Sequence, residues 1–394
     1  MKMIKVDNNE NEGCLNTDVI FDILSRVLAK PLLSMKCISR EWHNIISNRS
    51  FIKAQLQNTK LDLNGFIVQD RYMISKRDIK TVSYIPVESK NGAKVVHQMV
   101  FGFLPEDVVV LASCKGIVCC RSCLPSPNPT IYVCNPSNRE WIQLKWSPPC
   151  DITESIALAF DFDFEPSKFK LVRVKCIELN NNEDEGDFFF TFELYCSETK
   201  AWRKSTEICN CKDDMIKNRG IYIGGFLHWL TEGDQILTFD VEKEMSLLIP
   251  VPVPPANELR IVAACIGEYE GRLHYVQVSE QGLHVWCLED LFEFKWILKD
   301  CKLLENFEVE YPRFFFNLKN RVLESSEDTT NPWMNPLCFK DGKLLIKVSA
   351  ELYIYDMKKD KMVHACSFLQ LKPQSMSHPT VFPFSLTLVS LKDA

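Results

Sequence analysis

The hydrophobic pattern of this chain changes period once, near residue 60, and that change excludes any fold made of one kind of secondary structure. Between Leu15 and Gln57 apolar residues recur at helical spacing; from Leu61 onwards they gather into short apolar or alternating runs bounded by Gly, Pro, Asn and Asp. In the first stretch Ile20, Ile23, Leu24, Val27 and Leu28 share one helical face, with Asn16 or Thr17 placed to cap it. Pro31 stands where a second helix can begin without losing a hydrogen bond, and Leu32, Leu33, Met35 and Cys37 give that helix apolar surface. Ser39 offers a third cap, Trp42, Ile45 and Ile46 repeat the spacing, and Phe51 and Leu56 mark a fourth piece after Asn48. About 43 residues bury too little surface to be comfortably stable unaided, so helices this short with apolar residues to spare lean on a neighbour.

The remainder reads as strands and turns: GFIVQ, TVSYIP, VVVLAS, GIVCC, TIYVCN, FKLVRVKCI, FFFTFELYC, FLHWL, QILTFD, RLHYVQV, LHVWCL, KLLIKV and ELYIYD. These runs repeat. Asn135, Cys196, Asp240 and Asp356 each end a strand whose penultimate residue is apolar or aromatic, and six residues on come Trp141, Trp202, Ser246 and Met362. A variant unit runs from Leu288 to Trp296 and implies a turn two residues longer. Gly116, Gly225, Gly271 and Gly342 sit just before strands as tight-turn residues. The markers Asn135, Cys196, Asp240, Leu288 and Asp356 lie 61, 44, 48 and 68 residues apart. A strand-rich repeat of roughly 40 to 50 residues is the mark of a β-propeller, whose four-stranded blades cover their apolar faces against each other. Five units are marked, residues 61–110 offer a sixth, and VFPFSLTLVSL (381–391) is placed to add a strand to the first and close the ring. The expected fold is therefore a small all-α N-terminal module followed by an all-β domain, a β-propeller whose blade number is left open, with a two-sheet β-sandwich as the alternative.

Composition narrows the function. At 394 residues, 46% hydrophobic and 25% charged, the chain is of ordinary globular composition and long enough for more than one domain. The start, MKMIKVDNNENEG, has no apolar leader core, and no window approaches the ~18 to 20 apolar residues of a membrane span, which points to the cytoplasm or nucleus and to no membrane partner. A net charge of −6 gives no overall pull towards nucleic acid, although residues 15–57 carry six Lys and Arg against Asp18, Asp22 and Glu41, a balance that suits an acidic partner. Seventeen cysteines without an export signal read as reduced thiols. The nearest approaches to a metal motif are Cys114, Cys119, Cys120 and Cys123, and Cys209 with Cys211; neither supplies two spaced ligand pairs, with only His97 and His228 to complete them, so no metal is expected. Catalytic signatures are missing too: there is no phosphate-binding glycine loop, no nucleophile elbow and no zinc-protease helix motif. His228, His274 and His284 lie within strand-like runs, where a structural histidine is the plainer reading than a general base. Trp141, Trp146, Trp202, Trp229, Trp286, Trp296 and Trp333 all fall in the repeats, as blade core with one or two free to anchor a partner. Residues 123–130, 178–187 and 251–258 read as loops or connectors.

The order Leu15, Asp18, Ile23-Leu24-Ser25-Arg26, Lys30, Leu32-Leu33, Cys37-Ile38-Ser39, Trp42, Ile46-Ser47 and Phe51 resembles an F-box of the plant F-box family. In that family Pro usually follows the first Leu and the Ser-Arg-Leu triplet, where this chain has Asn16 and Leu28. The later units, from ASCKGIVCC to Trp296, resemble the F-box-associated, kelch-like domain, although the kelch double glycine occurs only at Gly224-Gly225. The resemblance implies a flexible tail (1–14), an F-box (15–57) and an F-box-associated kelch-like propeller (58–394). It further implies a non-catalytic substrate-recognition subunit of an SCF-type ubiquitin ligase. Leu15, Ile20, Ile23, Leu24, Val27, Leu32, Leu33, Cys37 and Trp42 would dock on the Skp adaptor and through it a cullin, while the propeller holds an unknown target protein, with no cofactor. The alternatives are a propeller scaffold without a ligase role and a propeller hydrolase or oxidase.

Overall fold

The structure is a computed structural model that describes residues 16–69, 82–87, 96–97, 101–123, 126, 129–144, 155–160, 168–179, 187–211, 220–231, 233, 235–253, 263–327, 333–371 and 379–391. Two compact units divide the chain, Met1–Leu61 and Asp62–Ala394. The first holds α1 (Thr17–Ser25), α2 (Ala29–Met35), α3 (Arg40–Ser47) and α4 (Arg49–Asn58). Asn16 accepts from the Asp18 amide at 3.1 Å, Ser39 from Trp42 at 3.1 Å and Asn48 from Ser50 at 2.9 Å, so three helix starts are capped by side chains, Asn16 and Ser39 as expected. Two boundaries differ from the expectation. α1 stops at Ser25, because the Ser25 hydroxyl donates back to the Asp22 carbonyl at 2.9 Å, the Val27 amide tightens onto the Leu24 carbonyl at 2.9 Å, and Leu28 turns extended (ψ 153°). Val27 and Leu28 thus leave its face. α2 begins at Ala29 rather than Pro31, which lies in the first turn where its missing N–H costs nothing, and ends at Met35, leaving Cys37 in the next turn. Leu24, Leu32, Ile46, Phe51 and Ile52 are buried, and Phe21 meets Phe51 edge-on at 5.2 Å. From α4, Gln55 Nε2 donates to the Val27 carbonyl at 3.2 Å and Asn58 Nδ2 to Ser25 Oγ at 2.8 Å, which ties down the corner between α1 and α2.

Among the described residues, the second unit is built from six runs of four antiparallel strands. In the first run, β1 (Gly65–Gln69), β2 (Val82–Pro86) and β3 (Val96–His97) follow the chain's last strand, β24 (Thr380–Phe384), which pairs with β1. The next is β4 (Val108–Cys114), β5 (Ile117–Ser122), β6 (Ile131–Asn135) and β7 (Glu140–Leu144). The third is β8 (Ser155–Phe160), β9 (Phe169–Leu179), β10 (Asp187–Cys196) and β11 (Ala201–Cys211). The fourth is β12 (Ile221–Ile223), β13 (Phe226–Leu230), β14 (Gln235–Asp240) and β15 (Met245–Pro250). The fifth is β16 (Ala263–Tyr269), β17 (Arg272–Ser279), β18 (Gly282–Asp290) and β19 (Lys295–Leu303); the sixth is β20 (Met334–Lys340), β21 (Lys343–Val348), β22 (Glu351–Asp356) and β23 (Lys361–Ser367). Parallel pairing of β16 with β20 over two residue pairs joins the last two runs into one eight-stranded sheet. The inner strands β24, β4, β8, β12, β16 and β20 neighbour one another in that order and return to β24, so this is a propeller ring and not a sandwich.

Burial follows from that geometry. Every residue of β5 is buried, whereas the outermost β11 is mostly exposed until its last three residues. Ile67, Val82, Val110, Val118 and Phe382 close the space between the first two runs; Phe190, Phe192, Trp229 and Phe239 close that between the third and fourth. Gln69 acts as a surrogate strand partner across one gap: its amide donates to the Val110 carbonyl at 2.8 Å and accepts from the Val110 amide at 2.9 Å, beside the bulge that β4 makes there.

The repeat rests on two turns. Lys115-Gly116, Gly224-Gly225, Glu270-Gly271 and Asp341-Gly342 each join the first and second strands of a run with both residues at positive φ, the two-residue hairpin whose twist matches the strands. A four-residue turn joins the third and fourth strands, and its last residue (Arg139, Lys200, Glu244, Phe294 or Asp360) is left-handed. Four of these five turns open on an Asn or Asp whose side chain accepts a turn amide: Asn135 from Ser137 at 2.9 Å, Asp240 from Glu242 at 2.9 Å, Asp290 from Phe292 at 2.9 Å and Asp356 from Lys359 at 3.2 Å. The longer turn expected after Leu288 is corrected. β18 runs on two residues to Asp290, with a bulge between Leu288 and Asp290 taking up one extra residue, and the turn has the common length.

Two helices inside this unit were not foreseen: α5 (Leu304–Glu310) and α6 (Leu318–Glu327), between β19 and β20. Phe307, Phe315, Leu318 and Val322 join a core shared with Val276 and Val285 of the fifth run and Tyr353 and Tyr355 of the sixth. Lys302, 4% exposed, is held by Glu310 at 2.8 Å and Asp360 at 2.6 Å. Burial works against its ammonium, and the two hydrogen-bonded carboxylates more than offset it, so its pKa lies above the ordinary lysine value.

Closure depends on the last strand. β24 pairs with β1 from Gly65↔Phe384 to Gln69↔Thr380, as expected of the C-terminal stretch. Residues 385–391 are then pinned to the second run, where Asn135 Nδ2 donates to the Val389 carbonyl at 2.7 Å and the Leu391 amide to Glu140 at 2.9 Å. Phe382→Ala, at a site 4% exposed, is expected to cost about 3–5 kcal/mol in urea unfolding of the full chain, against less than about 0.5 kcal/mol for Phe292→Ala at 73% exposure. Equal losses for the two would show that β24 does not close the ring.

Candidate functional site

The helical unit sorts the docking residues named from sequence into three kinds. Leu24 (5% exposed) and Leu32 (0%) lie inside and support the surface rather than form it. Ile20, Val27, Leu33 and Trp42 are half-buried, and Ile23 and Cys37 are exposed; Leu15 lies outside the described residues. The structure adds three that sequence reasoning missed as surface: Val19, Leu28 and Ile38. Val19 and Ile23, four apart, make an outward stripe on α1, while Leu28 and Ile38 project from the two connections that follow. The signal was present in the excess of apolar residues over what one buried face needs. Val19, Ile23, Leu28 and Ile38 thus form exposed aliphatic surface on a unit of only four short helices. Its exposed polar groups include Lys30, Arg40 and Lys53, with Arg26 paired to Asp22 at 3.0 Å. The described surface of this unit offers apolar area with a polar rim, the composition of an association surface.

Among the candidate reactive groups of the second unit, His228 and His274 have structural partners. His228 is buried on β13, its Nδ1 2.9 Å from Thr238 Oγ1 on the facing strand, and burial pushes its pKa down to about 3. His274 is buried with its Nδ1 3.1 Å from the Arg272 carbonyl, and burial lowers its pKa also. Cys119 and Cys120 are successive residues of β5 and so face opposite sides of the sheet; burial pushes both thiols up, which leaves them neutral and unreactive. Cys209 and Cys211 are likewise buried. Among the described residues no three His, Cys, Asp or Glu side chains gather as a metal site, and no helix is long and apolar enough to cross a membrane. Trp229 is core, Trp141 and Trp202 lie against Tyr132 and Tyr195 at 5.6 and 5.5 Å, and Trp296 Nε1 donates to the Pro250 carbonyl at 3.0 Å. Trp286 and Trp333 are half-buried. Trp146 lies outside the described residues, as do most of 178–187 and 251–258 and half of 123–130.

Comparison with known proteins agrees with both units. The family model described as "F-box protein At3g26010-like, beta-propeller" matches residues 73–318, and the F-box domain matches residues 13–54. This chain belongs to the F-box propeller family. Among its relatives in Arabidopsis thaliana, F-box protein At5g49610 is 26% identical over 307 residues, covering 74% of this chain and 80% of that protein. F-box protein CPR1 is 21% identical over 382 residues, covering 89% of this chain and 88% of its own length, and F-box protein At5g07610 is 25% identical over 286 residues, with 67% and 64% covered. Within the F-box, the residues that build the bundle and those left outside it make separable tests. Leu24→Ala is expected to destabilise the helices by about 2–5 kcal/mol, read as loss of hydrogen-exchange protection in residues 17–58, whereas Ile23→Ala leaves protection within a factor of about three.

His228 gives the propeller an acid-side weakness. Its folded pKa lies below the unfolded value, so the neutral ring stabilises the fold above about pH 6.5, and that stability is lost as pH falls below it, by up to ~1.4 kcal/mol per pH unit. His228→Gln is expected to flatten the decline in urea midpoint between pH 6.5 and 4.5; an unchanged decline would assign the acid sensitivity elsewhere.

Proposed function

We propose that this protein is the substrate-recognition subunit of an SCF-type ubiquitin ligase: the helices at 17–58 dock on the Skp adaptor, and through it a cullin, and the propeller holds a target protein. The observation that carries this reading is the set of exposed aliphatic side chains Val19, Ile23, Leu28 and Ile38 on a unit that matches the F-box. Docking would bury them, and each fully buried aliphatic side chain is worth ~1.5 to 3 kcal/mol, enough in sum for micromolar binding or tighter after association costs. Leu24 and Leu32 act beneath that surface by holding α1 and α2 in place. The subunit does no chemistry of its own; ubiquitin transfer to the captured target gains from proximity, because tethering raises the effective concentration of its lysines. Such a subunit would work in the cytoplasm or nucleus.

Asn16 bears on affinity in two opposing ways. It caps α1 through its side chain, worth ~0.5 to 2 kcal/mol, and lacks the pre-ordering of a proline, worth ~0.4 to 1 kcal/mol, so Asn16→Pro is expected to change adaptor affinity by less than about tenfold. The decisive experiment is capture of purified Skp adaptor by the full chain. Ile23→Asp with Ile38→Asp is expected to weaken it at least about a hundredfold without lowering the melting temperature, since both side chains are exposed. A wild-type chain that leaves the adaptor unbound at tens of micromolar would reduce the protein to a propeller scaffold.

A further inference from the structure

The helical insertion between β19 and β20 packs one side into the propeller core and leaves an aromatic edge bare on the other. Phe315 is 3% exposed, with ring centroids 6.3 Å from Phe307, 6.1 Å from Tyr311 and 5.2 Å from Tyr353. Its burial leaves its two chain neighbours outside: Phe314 is 55% and Phe316 61% exposed. Both are held in place. Phe314 stacks parallel to the His364 ring at 6.4 Å, and the Arg321 guanidinium lies 3.7 Å from the centre of Phe316. The same guanidinium is 4.6 Å from the ring of Trp333, so two aromatic faces fix its plane while its N–H groups have no carboxylate among the described residues.

The charges nearby are sorted in the same sense. Glu308 accepts from the Leu318 amide, Glu310 and Asp360 are taken by Lys302, Glu351 holds His364 at 2.7 Å, and Glu305 sits in the first turn of α5 where a helix favours an anion. By contrast Arg313 and Lys319, exposed on either side of the two phenylalanines, have no partner among the described residues. Among the described side chains, the edge carries the three cations Arg313, Lys319 and Arg321, while Glu308, Glu310, Glu351 and Asp360 are engaged elsewhere, which makes it complementary to one kind of ligand. We propose that Phe314, Phe316 and Arg321, with Arg313 and Lys319, bind an acidic peptide segment that also carries an aromatic or aliphatic side chain. A carboxylate would take the fork of Arg321, which two N–H donors can bind in parallel, and the apolar side chain would cover the phenylalanine rings. That such a segment belongs to the target protein rests on the substrate-receptor reading; the binding itself does not.

The test is a random-peptide display selection on the full chain at low salt, followed by affinity measurement on the enriched sequences. Enrichment of Asp or Glu beside Phe, Trp, Leu or Ile is expected, with affinity falling at least about tenfold in Arg321→Gln and in the charge-reversed Arg313→Glu with Lys319→Glu, and also at high salt. The double reversal alters exposed side chains only, so its melting temperature should hold even where Arg321→Gln loosens the loop. Failure to enrich acidic sequences, affinities unmoved by the double reversal, or capture of a single-stranded oligonucleotide in preference to any peptide would each overturn the proposal. Adaptor capture measured on the same preparations keeps the outcomes apart: variants of this edge leave it unchanged, and its loss in the wild type counts against the ligase reading alone.

Discussion

Each four-stranded run in this protein is apolar on both faces of its inner strands, and no run can cover both by itself. That constraint governs the second unit. A stack of such sheets would end in two uncovered faces; bending the stack until the ends meet removes both, which is what the ring of inner strands achieves. The apolar clusters between runs draw residues from two neighbouring runs, so the stability of one run depends on its neighbours. Between the last two runs, α5 and α6 contribute apolar side chains to the shared core, with Lys302 and its two carboxylates fastening α5 to the turn after β22.

Much of this order could be read in the amino-acid sequence, for reasons that are local. A two-residue hairpin with both φ values positive needs glycine, so Gly116, Gly225, Gly271 and Gly342 announce their turns, and an Asx side chain opening a four-residue turn announces the strand that precedes it. Hidden features lacked such markers. Outer strands such as β11 and β19 face water over most of their length and carry little apolar pattern; α5 and α6 are too short for a periodicity to outweigh the strands around them. The marker at Leu288 fell two residues short of the end of β18, because the strand runs on to Asp290 through a bulge and an extra residue in a ladder leaves no trace in composition.

The helical unit shows a second limit of the same kind. Apolar spacing identifies a helix and one buried face, but α1 carries apolar residues over more than that face, and spacing does not say which stay outside. Leu24 and Ile23 are adjacent in sequence; one is core and the other is surface. Only the packing of α4, through Phe51 and the hydrogen bonds of Gln55 and Asn58, decides between them. Propeller and F-box are both folds in which stability and recognition use the same side-chain types, so function becomes visible where apolar surface exceeds what the core consumes.

The placement of β24 also has a temporal meaning. A chain leaves the ribosome from its N-terminus, and the strand that completes the first run is encoded more than three hundred residues after the start of the unit it closes. Throughout synthesis β1 therefore presents an open edge and the first and last runs an uncovered face, the surfaces that pair wrongly with other chains. A premature stop shortly before Thr380 yields a product that has the other strands of the ring but stays in that open state, a natural client for chaperones and for degradation.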